Sequence, residues 1–208
     1  MMKIQKTPKK VYLAFSGGAD SMFALHFLLQ GRKDVTCLYF NHKTNFGKES
    51  LAFVTEVCKQ AGVKLITESL AVSPPKGCSK ENYWRNARYQ FFDKYDDAPI
   101  ITAHHLDDQI ETMLMGFCKG KEQWIRPELQ RQPGCLLIRP FLEVSRKEIL
   151  DYLSKYDIMY LNDPSNEDVS HPRNRIRHNV VPELLKAYPG FYKTLKRQKC
   201  QLKSDTKV

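Results

Sequence analysis

Positions 16 to 21 read Ser-Gly-Gly-Ala-Asp-Ser, set between an apolar run at 11–15 and a helix-type run at 22–30. Adjacent glycines reach φ values closed to other residues, so several amide N–H groups can converge on one anion. A helix starting there adds the positive end of its dipole. Ser16 and Ser21 bring hydroxyl donors, and Asp20 brings a carboxylate for a divalent metal riding on phosphates. Ser16, Gly17, Gly18, Ala19, Asp20 and Ser21 are therefore expected to hold the phosphates of a nucleotide. A plain strand-to-helix turn capped by Asp20 or Ser21 would use the same letters. Two serines flanking Gly-Gly-x-Asp favour the phosphate, and the segment matches neither Gly-Lys-Ser/Thr nor Gly-x-Gly-x-x-Gly.

A second constellation is His-His-Leu-Asp-Asp-Gln-Ile-Glu-Thr at 104–112. Asp107 and Glu111 are four apart and Asp108 and Glu111 three apart, so on a helix the carboxylates share a face near its start. Acids so close repel unless something positive lies among them. Attraction to the helix dipole would explain one or two acids, but not the two leading histidines. His104, Asp108 and Glu111 lack the His-Glu-x-x-His spacing of zinc sites, and mixed carboxylates suit Mg²⁺ better. A Mg²⁺ bridging nucleotide phosphates would tie this cluster to the loop at 16.

The elements that must position these groups alternate. Strand-like segments at 11–15, 35–40, 63–66 and 98–103 are interleaved with helical ones at 21–30, 51–61, 80–94 and 106–118. Gly31 and Gly62 read as helix stops and Ser50 as an N-cap. Such alternation predicts an α/β fold, a doubly wound parallel sheet covered on both faces. Ligands then sit at the C-terminal ends of the strands, so the loops after Phe15, Phe40 and Ala103 should face one crevice. Beyond 120 the pattern loosens. Residues 136–138 suggest one more strand, 145–156 a helix with Ser145 and Glu148 in capping-box spacing, and a last helix runs from about 175 through Pro182 to 188. The expected organisation is a catalytic domain over 1–190 with a short helical C-terminal extension, then a basic tail over 191–208 whose last residues are disordered.

A chain of 208 residues can bury a full core. No run has the apolar length of a membrane span, and the basic first ten residues lack a signal core, so a soluble cytoplasmic protein is expected. The cysteines at 37, 58, 78, 118, 135 and 200 are single, without zinc spacing. Reduced, mostly buried thiols and no structural metal follow. The net charge is +10, and Arg173, Arg175 and Arg177 are followed by Lys193, Lys196, Arg197, Lys199, Lys203 and Lys207. That clustering points to a nucleic acid, whose phosphates release counterions when neutralised.

The glycine loop resembles the PP-loop of the N-type ATP pyrophosphatases, which split ATP into AMP and pyrophosphate while adenylating a substrate. Followed by the motif at 104–112, it is similar to the tRNA(Ile)-lysidine synthetase family. Glu81-Asn-Tyr-Trp-Arg85-Asn-Ala-Arg88-Tyr89, the Arg139-Pro140 pair, Asn162-Asp-Pro-Ser-Asn166, and Arg173-Asn-Arg-Ile-Arg177 with Val181-Pro182 agree with that family. The resemblance implies ATP and Mg²⁺ as cofactors and ligation of L-lysine to the wobble cytidine in the anticodon loop of a CAU tRNA. It places catalytic or substrate-binding duties on Asp20, His104, Asp108, Glu111, Arg85 and Arg88, with Mg²⁺ on Asp20 and Asp108. Arg173, Arg175 and Arg177 would touch the adenylate or the RNA.

Three departures accompany it. Asn41-His-Lys-Thr-Asn45 stands where the family has Asn-His-Gly-Leu-Arg, and Lys119-Gly-Lys-Glu-Gln-Trp124 replaces a glycine-rich segment. The chain is also expected to be a compact form without the C-terminal domains of many members. Among rival readings, a tRNA thiolation enzyme of the same superfamily would need paired cysteines, and small-molecule amide synthetases would not need the basic tail. A catalytically inactive RNA- or nucleotide-binding homologue would not need the full polar set.

Overall fold

The computed structural model describes residues 4–197 apart from 45, 73, 76 and 78. Strand β1 (Lys10–Ala14) leads through the glycine loop into α1 (Ala19–Gln30), followed by β2 (Asp34–Asn41), α2 (Gly47–Gln60) and β3 (Lys64–Ser69). Then come α3 (Lys80–Phe92), β4 (Ile100–Ile101), α4 (Leu106–Phe117), β5 (Glu128–Gln130), β6 (Leu136–Ile138) and α5 (Arg146–Lys155). A 3₁₀ turn at Pro164–Glu167 precedes α6 (Pro172–Arg175), a π turn at Ile176–Val180 and α7 (Val181–Ala187).

Among the described residues six strands form one sheet in the order β3-β2-β1-β4-β6-β5. All neighbours are parallel except β5 and β6. The order reverses between β1 and β4, so the chain leaves the sheet in opposite directions there and a crevice opens at their C-terminal ends. Because β1 pairs directly with β4 through Tyr12 with Ile100 and Leu13 with Ile101, the loops following them must meet. Alternation along β1 covers both faces: Val11, Leu13 and Phe15 join the core under α1, α2 and α5, and Tyr12 joins the core under α3. Among the described residues no helix is long and apolar enough to cross a membrane.

Several boundaries differ from the sequence expectation. Strand β5 escaped notice because its three residues, Glu-Leu-Gln, lie at a sheet edge with only the middle one turned inward. Strand β4 has only two ladder residues, and Pro99 at its entry has no N–H to give. Helix α2 begins at Gly47 with Phe46 at the N-cap, so Ser50 is not a cap. Its buried hydroxyl instead donates to the Ser16 carbonyl at 3.2 Å. By contrast, Ser145 and Glu148 form the capping box anticipated for α5.

The helix expected from about 175 starts earlier, at Pro172, and widens into a π turn at Ile176–Val180 before Pro182. A proline cannot donate to the preceding turn and its ring crowds that turn's carbonyl, so a locally wider helix relieves both problems. Residues 191–197 are helical, with Leu195 buried against Leu106 and Ile110 of α4. Lys199, Lys203, Lys207 and the expected disordered end lie outside the described residues, as do Cys78 and Cys200. Of the described cysteines, Cys37, Cys58 and Cys135 are buried and Cys118 is exposed.

Candidate active site

The glycine loop is built by backbone geometry and held from both sides. Gly17 has φ +80°, and a Cβ there would meet Phe53 Cδ1 and Val54 Cγ1 at 3.0 Å. Both conformation and space therefore demand glycine. Gly18 differs: its φ of −73° suits any residue, and it serves as the N-cap of α1 without a side-chain cap. The amides of the first turn of α1 are thus left for a ligand. Ser21 Oγ donates to the Gly18 carbonyl at 3.0 Å and lies 3.2 Å from Ser16 Oγ, so the two serines brace the turn. Outside it, Ser50 grips the Ser16 carbonyl and the Leu161 N–H donates to the Gly17 carbonyl at 2.9 Å.

The acids of α4 meet positive groups from distant segments. Glu111, 1% exposed, accepts from Arg173 Nε at 2.7 Å and from Arg177 Nε at 2.6 Å. Asp108 Oδ1 accepts from Arg173 Nη2 at 3.0 Å and Arg177 Nη2 at 3.4 Å, while Oδ2 takes the His105 N–H at 2.9 Å. Arg173 and Arg177, four apart, share one face of α6 and the π turn. Arg175 lies off that face and donates to the Val169 carbonyl. Asp107 turns away from Glu111: it accepts the Arg146 N–H at 2.7 Å and the Tyr192 hydroxyl at 2.6 Å.

Asp20 links loop and cluster. Its Oδ1 accepts from Arg146 Nη1 at 2.6 Å and lies 3.6 Å from His105 Nε2, whereas Oδ2 has no protein partner among the described residues. His105 is buried with Asp107 and Asp108 carboxylates each 3.5 Å from its ring nitrogens. Burial opposes a charge there, but Asp108, Asp107 and Asp20 together outweigh it and push His105 up to about 10. Burial likewise opposes ionisation of Asp108, and the two histidines with Arg173 hold it far below the usual carboxylate range. His104 goes the other way, pushed down to about 4 by burial, with Arg139, Arg173 and Arg88 adding to that and Asp108 opposing it. Its Nδ1 lies 2.8 Å from Thr102 Oγ1.

Two chambers adjoin at Ser16, Asp20 and Ser21. One, about 830 Å³, is lined by Gly18, Arg146, Asn162, Glu111, Arg177 and their neighbours. The other, about 370 Å³, is lined by Phe15, Leu38, Phe40, His42, Arg88 and His104 among others. These sizes suit a nucleotide and a second substrate. Arg88 thus faces the site, and Arg85, exposed on α3, packs its guanidinium 4.9 Å from the Tyr89 ring centre. Sequence reasoning missed Arg146 and Tyr192, whose partners lie 126 and 85 residues away and leave no local signal, and it named His105 only as part of the motif, since its partner Asp20 lies 85 residues away.

Residues 1–184 match the PP-loop domain. The chain belongs to the PP-loop domain family. Within that family it is 34% identical to the tRNA(Ile)-lysidine synthase of Staphylococcus aureus, over 84% of this chain and 44% of that protein. It is also 34% identical to the bifunctional protein TilS/HprT of Listeria monocytogenes, over 92% of this chain and 32% of that protein. The chain spans less than half the length of these curated relatives. Its fold superposes on the U34-tRNA thiolase NcsA of Methanococcus maripaludis with a TM-score of 0.76 at 16% identity, covering 95% of this chain and 73% of that one. An NH3-dependent NAD synthetase of Campylobacter jejuni matches with a TM-score of 0.52 at 13% identity, covering 98% and 89%. In this PP-loop domain the glycine loop and the cluster at 104–111 meet at the sheet's reversal point.

Proposed function

We propose that this PP-loop domain is the catalytic part of an ATP-dependent tRNA ligase that joins lysine to the wobble cytidine of a CAU-anticodon tRNA. The observation that carries the reading is the joining of the loop to the Asp108–Glu111–Arg173–Arg177 cluster through Asp20 and the buried His105, whose Nε2 lies 3.6 Å from Asp20 and 3.5 Å from Asp108. Relatives named for that reaction support it. ATP fits the loop: the amides of the first turn of α1 and the positive end of the helix suit its phosphates, and Arg146 and Arg177 line the same chamber. Preorganised positive groups there stabilise the charge that builds on departing pyrophosphate.

The chemistry runs in two steps. Cytidine O2 attacks the α-phosphorus, forming the adenylated base and releasing pyrophosphate. The neutral ε-amine of lysine then attacks C2, and AMP leaves with the former O2. Asp108 and Glu111 fix the two arginines, since all four of their carboxylate oxygens are engaged. Neutral His104, in the chamber with Arg88, would accept a hydrogen bond from the attacking amine. Asp20 Oδ2 would hold a Mg²⁺ shared with the phosphates, where the ion would neutralise their charge. Asp108, expected to share that ion, turns Oδ1 to Arg173 and Arg177 and Oδ2 to the His105 N–H.

Incubation with ATP, Mg²⁺, radiolabelled lysine and a CAU-anticodon tRNA should put label into the RNA, and a U-anticodon control should not. No label and no pyrophosphate release would remove the ligase reading and leave a binding homologue. A thiolation role would need sulfur-handling cysteines at the site, and neither chamber is lined by a described one.

A further inference from the structure

Four guanidiniums crowd one phenol. The Cζ atoms of Arg85, Arg88 and Arg131 lie 4.9, 5.9 and 4.6 Å from the centre of the buried Tyr89 ring. Arg139, just after β6, leans on the Tyr89 hydroxyl and is 5% exposed. Asp93 neutralises Arg131 through hydrogen bonds of 2.7 and 2.8 Å. Among the described side chains no carboxylate pairs with Arg85, Arg88 or Arg139. Arg139 gives one N–H to the Arg126 carbonyl at 2.7 Å, and its buried Nε has no partner. A buried guanidinium without a counter-charge is unfavourable until an anion completes it.

We propose that Arg85, Arg88 and Arg139 form a second phosphate site, separate from the glycine loop, which takes a backbone phosphodiester of the RNA beside the nucleotide being modified. This rests on the reading of the chain as a tRNA-modifying enzyme. The nucleotide triphosphate already has the amides of α1 with Arg146 and Arg177. The three arginines instead grade inward, Arg85 exposed, Arg88 half-buried and Arg139 buried, as suits a strand entering from solvent. Arg88, the middle member, lines the smaller chamber together with Tyr89 and His104, so the arginines border the space offered to the reacting base. Guanidinium forks match phosphate oxygens in pairs. Trp84, tilted 38° against His42 with ring centres 5.6 Å apart, packs next to that chamber-lining histidine.

The test uses the full chain, a fluorescein-labelled CAU anticodon stem-loop and a fluorescent ATP analogue. Arg88→Gln and Arg139→Gln should each weaken RNA binding about tenfold and flatten the salt dependence by about 0.7 in log–log slope, with affinity for the ATP analogue unchanged. Arg88 is half-buried, so its variant carries the test if Arg139→Gln folds poorly. Unchanged RNA affinity and slope in Arg88→Gln would overturn the proposal. Loss of ATP-analogue binding by that variant would overturn it too, by placing the cluster in the nucleotide subsite. The ligase reading fails separately: RNA binding can respond as stated while no lysine is ever incorporated.

Discussion

The glycine loop and the arginine–carboxylate cluster both prepare the site for negative charge, by opposite means. In the loop the positive groups are backbone amides, fixed by Gly17 at φ +80° and braced by Ser16, Ser21 and Ser50. In the cluster they are the side chains of Arg173 and Arg177, brought to α4 from more than 60 residues away and held by Asp108 and Glu111. The loop needs no counter-charge, because its donors are neutral dipoles. The cluster needs its acids, because two guanidiniums side by side would otherwise repel.

Removing a cluster acid should therefore do most harm. Glu111→Gln leaves Arg173 and Arg177 half-paired in a mostly buried site, and a loss of about 3–5 kcal/mol is expected in a denaturant titration, together with loss of pyrophosphate release. If stability is unchanged, the cluster is not held by charge. Gly17→Ala attacks the loop instead: the left-handed backbone and the 3.0 Å approach to Phe53 and Val54 predict a loss of about 1–3 kcal/mol and weaker ATP binding. A loop that tolerates alanine would not be built on backbone geometry.

The two regions should also part with pH. His105 is raised from 6.5 to about 10, so its charged form stabilises the fold fully below about 6.5 and that stability is lost as pH rises through about 10. The melting temperature should fall toward pH 10, and His105→Asn should flatten the slope, whereas Gly17→Ala should leave it parallel to the parent. Smallest of all, Ser21→Ala removes the brace to the Gly18 carbonyl and should destabilise by about 1 kcal/mol.

The same contrast explains what could be read from sequence. Backbone chemistry is local: two glycines between a strand and a helix announced the loop, although Gly18 proved to need no special conformation. The parallel sheet was legible for the same reason, since each strand and helix carries its own periodicity. The acids on α4 were legible as a problem of repulsion, but its solution was not, because nothing near residue 108 names Arg173 or Arg177. Arg146, beside the Ser145 cap, carries no local sign of a role at the site, and only the fold turns it toward Asp20. Asp107 shows a further use of the same acidic run: it lines the larger chamber while it also ties α4 to α5 and Tyr192.

The π turn at Ile176–Val180 acts as a register shim. Upstream of it stands Arg173, within it Arg177, and downstream Tyr192 and Leu195 return to α4. The widened turn takes up one residue more than an α-turn would, so α7 continues past Pro182 while Arg173 and Arg177 both stay turned toward Glu111. Deleting that residue would tighten the turn and cost Arg177 its seat on the acid, while the separate helix carrying Tyr192 and Leu195, set off by the break at 188–190, would keep its place on α4.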